Sequence, residues 1–256
     1  VGGPDMTVLL QVSHLTKRFR GLTATDDASF EFMKGELHAL IGPNGAGKTT
    51  LINLLSGELM PDAGRIVFDG RDITRDPPHR RALQGLVRSF QITSVFPELT
   101  VLQNVMLAAQ VAGGHSFAFW RDVRTDQRLI GPAREALDTA GLANDAARPV
   151  ASLAHGARRQ LELAMVLALK PRLMLLDEPL AGMSGAEADA MVALLGRLKA
   201  QCTIVLVEHD MDAVFSLADR LTVLAAGRPI ASGTPSDIRN DSMVRDAYLG
   251  EEDMLA

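Results

Sequence analysis

Leu37-His38-Ala39-Leu40-Ile41-Gly42-Pro43-Asn44-Gly45-Ala46-Gly47-Lys48-Thr49-Thr50-Leu51-Ile52-Asn53-Leu54-Leu55 is a short apolar strand, a glycine-rich loop and the opening of a helix. Residues 42–49 satisfy Gly-x-x-x-x-Gly-Lys-Ser/Thr in the order that pattern requires, directly after a strand and directly before a helix. The glycines let the backbone curl until successive N–H groups face one point, and the helix adds roughly half a positive charge at its N-terminus. Such a loop cradles the phosphates of a nucleotide, with Asn44, Gly45, Ala46, Gly47, Lys48, Thr49 and Thr50 as the cradle. Lys48 is expected to neutralise the β- and γ-phosphates, and Thr49 offers a hydroxyl to Mg²⁺, a hard cation that takes oxygen ligands. A plain glycine turn is the simpler reading, and the strand on one side with Lys-Thr on the other weigh against it.

Phosphate binding alone is not hydrolysis, which needs a carboxylate on the metal side and a group that activates water. Arg172-Leu173-Met174-Leu175-Leu176-Asp177-Glu178-Pro179 supplies both. Four apolar residues read as a buried strand ending in Asp177, placed to hold Mg²⁺ through water, and Glu178 is the candidate general base. On its own an Asp-Glu pair is a solvated strand end; beside the phosphate loop it reads as a hydrolytic centre.

Outward from these two stretches, further β-rich runs fall at 8–12, 65–68, 203–207 and 221–224, which predicts an α/β sheet. More than a hundred residues separate the strand at 37 from that at 173, too many for one crossover. From about 91 to 170 they read mostly as helix, an inserted helical subdomain within one domain spanning 6–256. Inside it, residues 111–132 carry Gly113-Gly114 and Trp120 and read as a loop with a short helix. Near the end, Thr234 and Pro235 read as cap and first residue of a docked C-terminal helix. The 256 residues are 47% hydrophobic and 22% charged, an ordinary globular balance. A net charge of -5 gives no electrostatic reason to coat nucleic acid or an anionic membrane, so no nucleic-acid partner is expected. Cys202, the single cysteine, reads as a buried strand residue that cannot form an internal disulfide. No apolar run approaches the roughly 18 residues of a membrane span. Residues 1–5 are read as a leader or cloning scar, with Met6 as the start.

The order of these motifs resembles the ATPase subunits of ABC transporters over nearly the whole chain, from Leu10 to about Glu251. The resemblance implies a P-loop NTPase core of ABC ATPase type, with an antiparallel β subdomain and an inserted helical subdomain. Gln91, in Arg88-Ser89-Phe90-Gln91, is similar to the family's glutamine that joins the metal and the attacking water. His209, in Val207-Glu208-His209-Asp210, is similar to the switch histidine that contacts the γ-phosphate and positions Glu178. Phe19 stands where the family keeps an aromatic ring for adenine. The family's signature, usually Leu-Ser-Gly-Gly-Gln, appears as Leu153-Ala154-His155-Gly156-Ala157, lacking a serine hydroxyl and a glutamine amide. In the family that helix N-terminus meets the ATP held by the opposite subunit, so two subunits sandwich each nucleotide. The loop after Glu178, often Ser-Ala-Leu-Asp, is here Ala181-Gly182-Met183-Ser184.

Residues 88–91, 96–105, 111–132, 207–211 and Ala247-Tyr248-Leu249-Gly250 resemble the branched-chain amino acid importer branch. That likeness implies ATP and Mg²⁺ as cofactors and a second ATPase subunit, identical or different, as partner. It also implies two transmembrane permeases, an indirect periplasmic solute-binding protein, and a place on the inner face of the cell membrane. Related small polar solutes fit the same reading. The alternatives are a lipid or lipopolysaccharide exporter ATPase, a soluble ABC ATPase outside transport, and a regulatory subunit with weakened hydrolysis.

Overall fold

Strands in which all but one residue is apolar are stable only between two covered faces. Three such strands, β3 (Leu37–Ile41), β7 (Leu173–Asp177) and β8 (Thr203–Val207), are buried at every residue. The computed structural model, which describes residues 7–89, 95–112 and 126–244, sets them in the middle of a six-stranded sheet. With β6 (Leu86–Arg88), β9 (Arg220–Ala225) and β10 (Arg228–Gly233), its order is β10-β9-β3-β8-β7-β6. The strands from β9 to β6 are parallel neighbours and β10 closes the edge antiparallel. Leu37 is opposite Ile204 and Leu173 opposite Thr203, so β3, β7 and β8 end level. Whatever follows those three strands therefore meets at one edge, where open α/β sheets bind their ligands.

Alternation along β7 sends Met174 and Leu176 to one face and Leu173 and Leu175 to the other. The first face is covered by α6 (Gly185–Leu198) and α7 (Met211–Leu217) through Met191, Leu194, Leu195, Val214 and Leu217. The second receives α1 (Lys48–Ser56) and a four-stranded antiparallel sheet. That sheet runs β2 (Leu22–Met33), β1 (Val8–Phe19), β4 (Ala63–Phe68), β5 (Arg71–Asp72). Three helices, α3 (Val101–Ala112), α4 (Gln127–Thr139) and α5 (His155–Ala168), bury a further apolar cluster among themselves. The structure thus shows the P-loop core, the antiparallel β layer and the helical unit of the expected fold class.

The sequence reading needs correction in three places. First, the stretch 111–132, expected as a loop with a short helix, is taken up at both ends by longer helices: α3 continues to Ala112 and α4 begins at Gln127, with Pro132 inside it. Residues 113–125, Trp120 among them, lie outside the described residues. A proline in a helix interior costs about 3 kcal/mol. Here Asp126 caps the helix by accepting from the Arg128 N–H, and Leu129, Ile130, Ala133, Ala136 and Leu137 are buried, which outweighs that cost. Second, β1 runs seven residues beyond its expected end, and β2, β5, β6 and β10 were not anticipated as strands. Third, Cys202 is buried but precedes β8 rather than lying in it, its Sγ 3.7 Å from the Leu198 carbonyl oxygen, and burial pushes its thiol up to about 11.

The end of α1 is held by a side chain that no motif announces. Arg81, on α2 (Pro78–Leu83), is fully buried. Its Nη1 donates to the carbonyls of Leu54 and Leu55 at 2.8 Å, Nη2 to Thr74 O at 3.1 Å and Nε to Asp76 O at 2.9 Å. A cation at a helix C-terminus meets the negative end of the dipole and satisfies carbonyls the helix leaves unpaired. Burial lowers its pKa only to about 10, so it stays charged at neutral pH. At the other end of the chain, Thr234 caps α8 (Pro235–Asn240) with Pro235 at its first position, and buried Ile238 docks it.

Candidate active site

The loop between β3 and α1 is wedged between two walls that leave no room for side chains. Gly47, the residue before α1, has φ +100°, and a Cβ there would run into the Ala24 carbonyl of β2. At Gly42, φ +151°, it would run into the Leu224 carbonyl of β9. Only glycine tolerates both the dihedral and the approach. The Gly227 N–H donates to Ala46 O at 2.9 Å, tying the β9–β10 turn to the loop. Lys48 is buried and its Nζ donates to Gly42 O at 2.5 Å and Pro43 O at 3.1 Å. Its ammonium thus arches over its own loop, at the mouth of a cleft of about 520 Å³. Asn44, Gly45, Ala46, Gly47, Lys48, Thr49 and Thr50 line that cleft together with Leu22, Thr23, Ala24, Ala226, Glu178 and His209.

The acidic wall comes from the ends of β7 and β8. The Glu178 N–H continues the sheet by donating to Val207 O at 2.8 Å, yet its φ is +51°. The left-handed region is uncommon for a residue with a Cβ and costs of order 1–3 kcal/mol. This turn carries the Glu178 carboxylate into the cleft, where Oε1 stands 2.8 Å from His209 Nε2. Buried Glu208 ties the turn after Glu178 to His209: it accepts from the Leu180 N–H at 2.7 Å through Oε1 and from the His209 N–H at 2.9 Å through Oε2.

Asp177 lies behind this pair rather than on the cleft wall, its side chain 1% exposed. Arg88 Nη2 donates to its Oδ2 at 3.0 Å. Desolvation raises the Asp177 pKa above the ordinary carboxylate value, and the charge of Arg88 and its hydrogen bond oppose that rise. Among the described residues no group of three or more His, Cys, Asp or Glu forms a metal cage. Thr49 and Asp177 offer oxygen donors only, a donor set that fits a Mg²⁺ ion sharing its shell with phosphate oxygens and water.

The segment Leu153, Ala154, His155, Gly156 is elsewhere, none of the four lining the cleft. Leu153 packs into the helical cluster and Ala154 is the residue before α5, without a side-chain cap bond. The Gly156 N–H donates to Glu187 Oε1 at 3.1 Å, while Glu187 Oε2 accepts from the Ser184 N–H and hydroxyl at 3.0 and 2.8 Å. These donors hold the Glu187 carboxyl below its ordinary value, those of Ser184 first. One carboxylate therefore joins the N-termini of α5 and α6.

Of the residues picked out from the sequence, 44–50, Glu178 and His209 share the cleft, and Asp177 adjoins them through Glu178. Phe19 does not line it: the residue is 43% exposed at the end of β1, its ring centre 5.6 Å from Lys17 Nζ, and Leu22 opposite it on β2 lines the cleft instead. Gln91 lies outside the described residues. Sequence reasoning missed Leu22, Thr23, Ala24, Ala226, Glu208 and Arg88. The period-2 spacing of Ala28, Phe30 and Phe32 was the signal for β2 and hence for the first three. No helix among the described residues is long and apolar enough to cross a membrane.

Comparison with known proteins places the chain among relatives over 95% of its length. The ABC transporter family profile matches residues 25–181, and that of the branched-chain amino acid ATP-binding cassette transporter matches residues 228–254. The high-affinity branched-chain amino acid transport ATP-binding protein BraF of Pseudomonas aeruginosa is 38% identical over 252 residues, 95% of this chain and 98% of that one. Its counterpart LivG of Escherichia coli is 37% identical over 250 residues, again 95% and 98%. Among solved structures, the ADP conformation of an ATP-binding cassette of an ABC transporter superposes with a TM-score of 0.84 at 29% identity, covering 96% of this chain and all of that one.

Proposed function

Because the chain belongs to the ABC transporter family as an ATP-hydrolysing subunit, we propose that it powers import of branched-chain amino acids through separate membrane permeases. The observation that carries the mechanism is the convergence of the phosphate loop, Glu178 and His209 on one cleft at the end of the parallel strands. The N–H groups of residues 45 and 47–50 and the Lys48 ammonium bind the phosphates, and Thr49 would hold Mg²⁺ by its hydroxyl and Asp177 through water. When bound, Mg²⁺ neutralises charge on the β- and γ-phosphates. Glu178 accepts a proton from the attacking water, and His209, through its 2.8 Å contact, holds the carboxylate in line. The family resemblance assigns Gln91 to the metal and the attacking water.

The sandwich with a second ATPase subunit, identical or different, draws support from the position of Gly156. The N-terminus of α5 lies away from this chain's own cleft, free to meet the nucleotide of a partner. Closing would trade the Glu187 carboxylate on the Gly156 N–H for a phosphate oxygen. The transport of branched-chain amino acids named for BraF and LivG supports the solute class and separate membrane permeases, and the family resemblance implies two of these, a periplasmic binding protein and a place on the inner face of the cell membrane.

The test is recovery of tagged Glu178→Gln protein from native membranes in mild detergent with Mg-ATP, followed by mass spectrometry. Two polytopic permeases and an ATPase subunit are expected to co-purify. Ribosomes, DNA or a soluble scaffold in their place would refute the transport reading.

A further inference from the structure

Arg88 is the last residue of the edge strand β6, a place where a charged side chain ordinarily points to water. Its side chain is instead only 10% exposed and reaches inward. Nη1 donates to Asn53 Oδ1 on α1 at 2.5 Å and to Glu58 Oε2, just past the end of α1, at 2.7 Å. Nη2 donates to Asp177 Oδ2 at the end of β7 at 3.0 Å. A planar guanidinium with several donors can bind groups on two elements in one fixed geometry, which a lysine ammonium cannot. Arg88 therefore ties α1, whose first turn carries Thr49, to the strand end that carries Asp177.

We propose that Arg88 is a positioning residue that fixes the spacing between Thr49 on α1 and Asp177 on β7, and so sets the affinity of the nucleotide site for its divalent cation. The inference rests on the reading that Thr49 and Asp177 are the protein's oxygen donors to Mg²⁺. Arg88 touches neither ATP nor the reacting atoms. By engaging Asp177 Oδ2 it leaves the other oxygen of that carboxylate to the cation's shell, and by engaging Asn53 and Glu58 it keeps α1 from drifting away. Removing a group that orients a metal ligand typically costs about 10–100-fold in metal affinity.

The experiment titrates Mn²⁺ into the purified full-length protein with saturating ATP, following the free-ion EPR signal, and measures ATP affinity separately in EDTA. Arg88→Met is expected to weaken Mn²⁺ binding at least about tenfold and to leave ATP affinity in EDTA within about twofold, since Arg88 bonds Asn53, Glu58 and Asp177 and no residue of the phosphate loop. Arg88→Lys keeps a cation beside Asp177 and so guards against misfolding; it is expected to recover part of the Mn²⁺ affinity. Asn53→Ala removes one anchor and is expected to show a smaller loss than Arg88→Met. Unchanged Mn²⁺ affinity in both Arg88 variants, with wild-type protein binding Mn²⁺ in an ATP-dependent manner, would overturn this inference and leave the ATPase reading standing. Equal losses of Mn²⁺ affinity and of ATP affinity in EDTA would also overturn it, because Arg88 would then serve the fold alone. Wild-type protein without ATP-dependent Mn²⁺ binding would sink both.

Discussion

Glu178→Gln protein is expected to hydrolyse ATP about 10²–10⁴ times more slowly than the unaltered chain while binding ATP with nearly unchanged affinity. The amide has the shape of the carboxylate and can keep the contact with His209 Nε2, now at 2.8 Å from Glu178 Oε1. It has no basicity, so the attacking water keeps its proton. The cleft is otherwise intact, because Glu208 holds residues 180 and 209 by their backbone N–H groups independently of the Glu178 side chain. The positive φ of residue 178 is the same cost for Gln as for Glu, so folding stability should move little. Single-turnover phosphate release with an equilibrium ATP titration separates the two effects. A fall in binding equal to the fall in rate would place Glu178 in the cradle rather than on the water.

The second large effect concerns stability. Arg81→Met replaces a fully buried guanidinium by an apolar side chain and takes donors from four carbonyls, those of Leu54, Leu55, Thr74 and Asp76. Leu54 O keeps the Gly57 N–H at 3.3 Å, and each of the other three acceptors left without a partner costs about 1–3 kcal/mol. Relaxation and entering water recover part of that, so the net loss is expected to be about 3–5 kcal/mol, against a total of about 5–15 for a typical domain. Arg81→Lys, with one compact ammonium, should fall between. Urea unfolding at pH 7 reads the difference as a lower midpoint at unchanged slope. A shift below about 1 kcal/mol would mean that other donors reach those carbonyls. The region most exposed to this loss is the C-terminal turn of α1, the helix whose other end forms the phosphate loop.

What was legible in the sequence is what local chemistry writes into consecutive residues. The loop 42–50 needs its glycines, lysine and threonine in one order. Asp177 and Glu178 close a strand that is apolar throughout, and the level ends of β3, β7 and β8 then bring them to the loop. Contacts across long separations were not legible. Arg88 meets Asn53 and Asp177, 35 and 89 residues away, and Arg81 in His79-Arg80-Arg81 reads as a charged surface run until the carbonyls around it are seen. Phe19 sat in the expected stretch, but position along a strand does not say which way a ring faces, and Leu22 lines the cleft in its place. Irregular pairing of β1 with β2, with register shifts after Val12 and Leu15, blurred the alternation that marks β2. At α4, an apolar stripe overruled a proline.

The central claim, that this chain turns ATP hydrolysis at Glu178 into solute import, is tested most directly in vesicles. The purified membrane complex would be reconstituted with Mg-ATP on the cytoplasmic side of its ATPase subunits and given binding protein with radiolabelled leucine on the other. The account predicts leucine accumulation that requires ATP and is abolished by Glu178→Gln in this chain. Accumulation that persists in that variant, or ATP hydrolysis by the unaltered complex with no leucine movement, would contradict it.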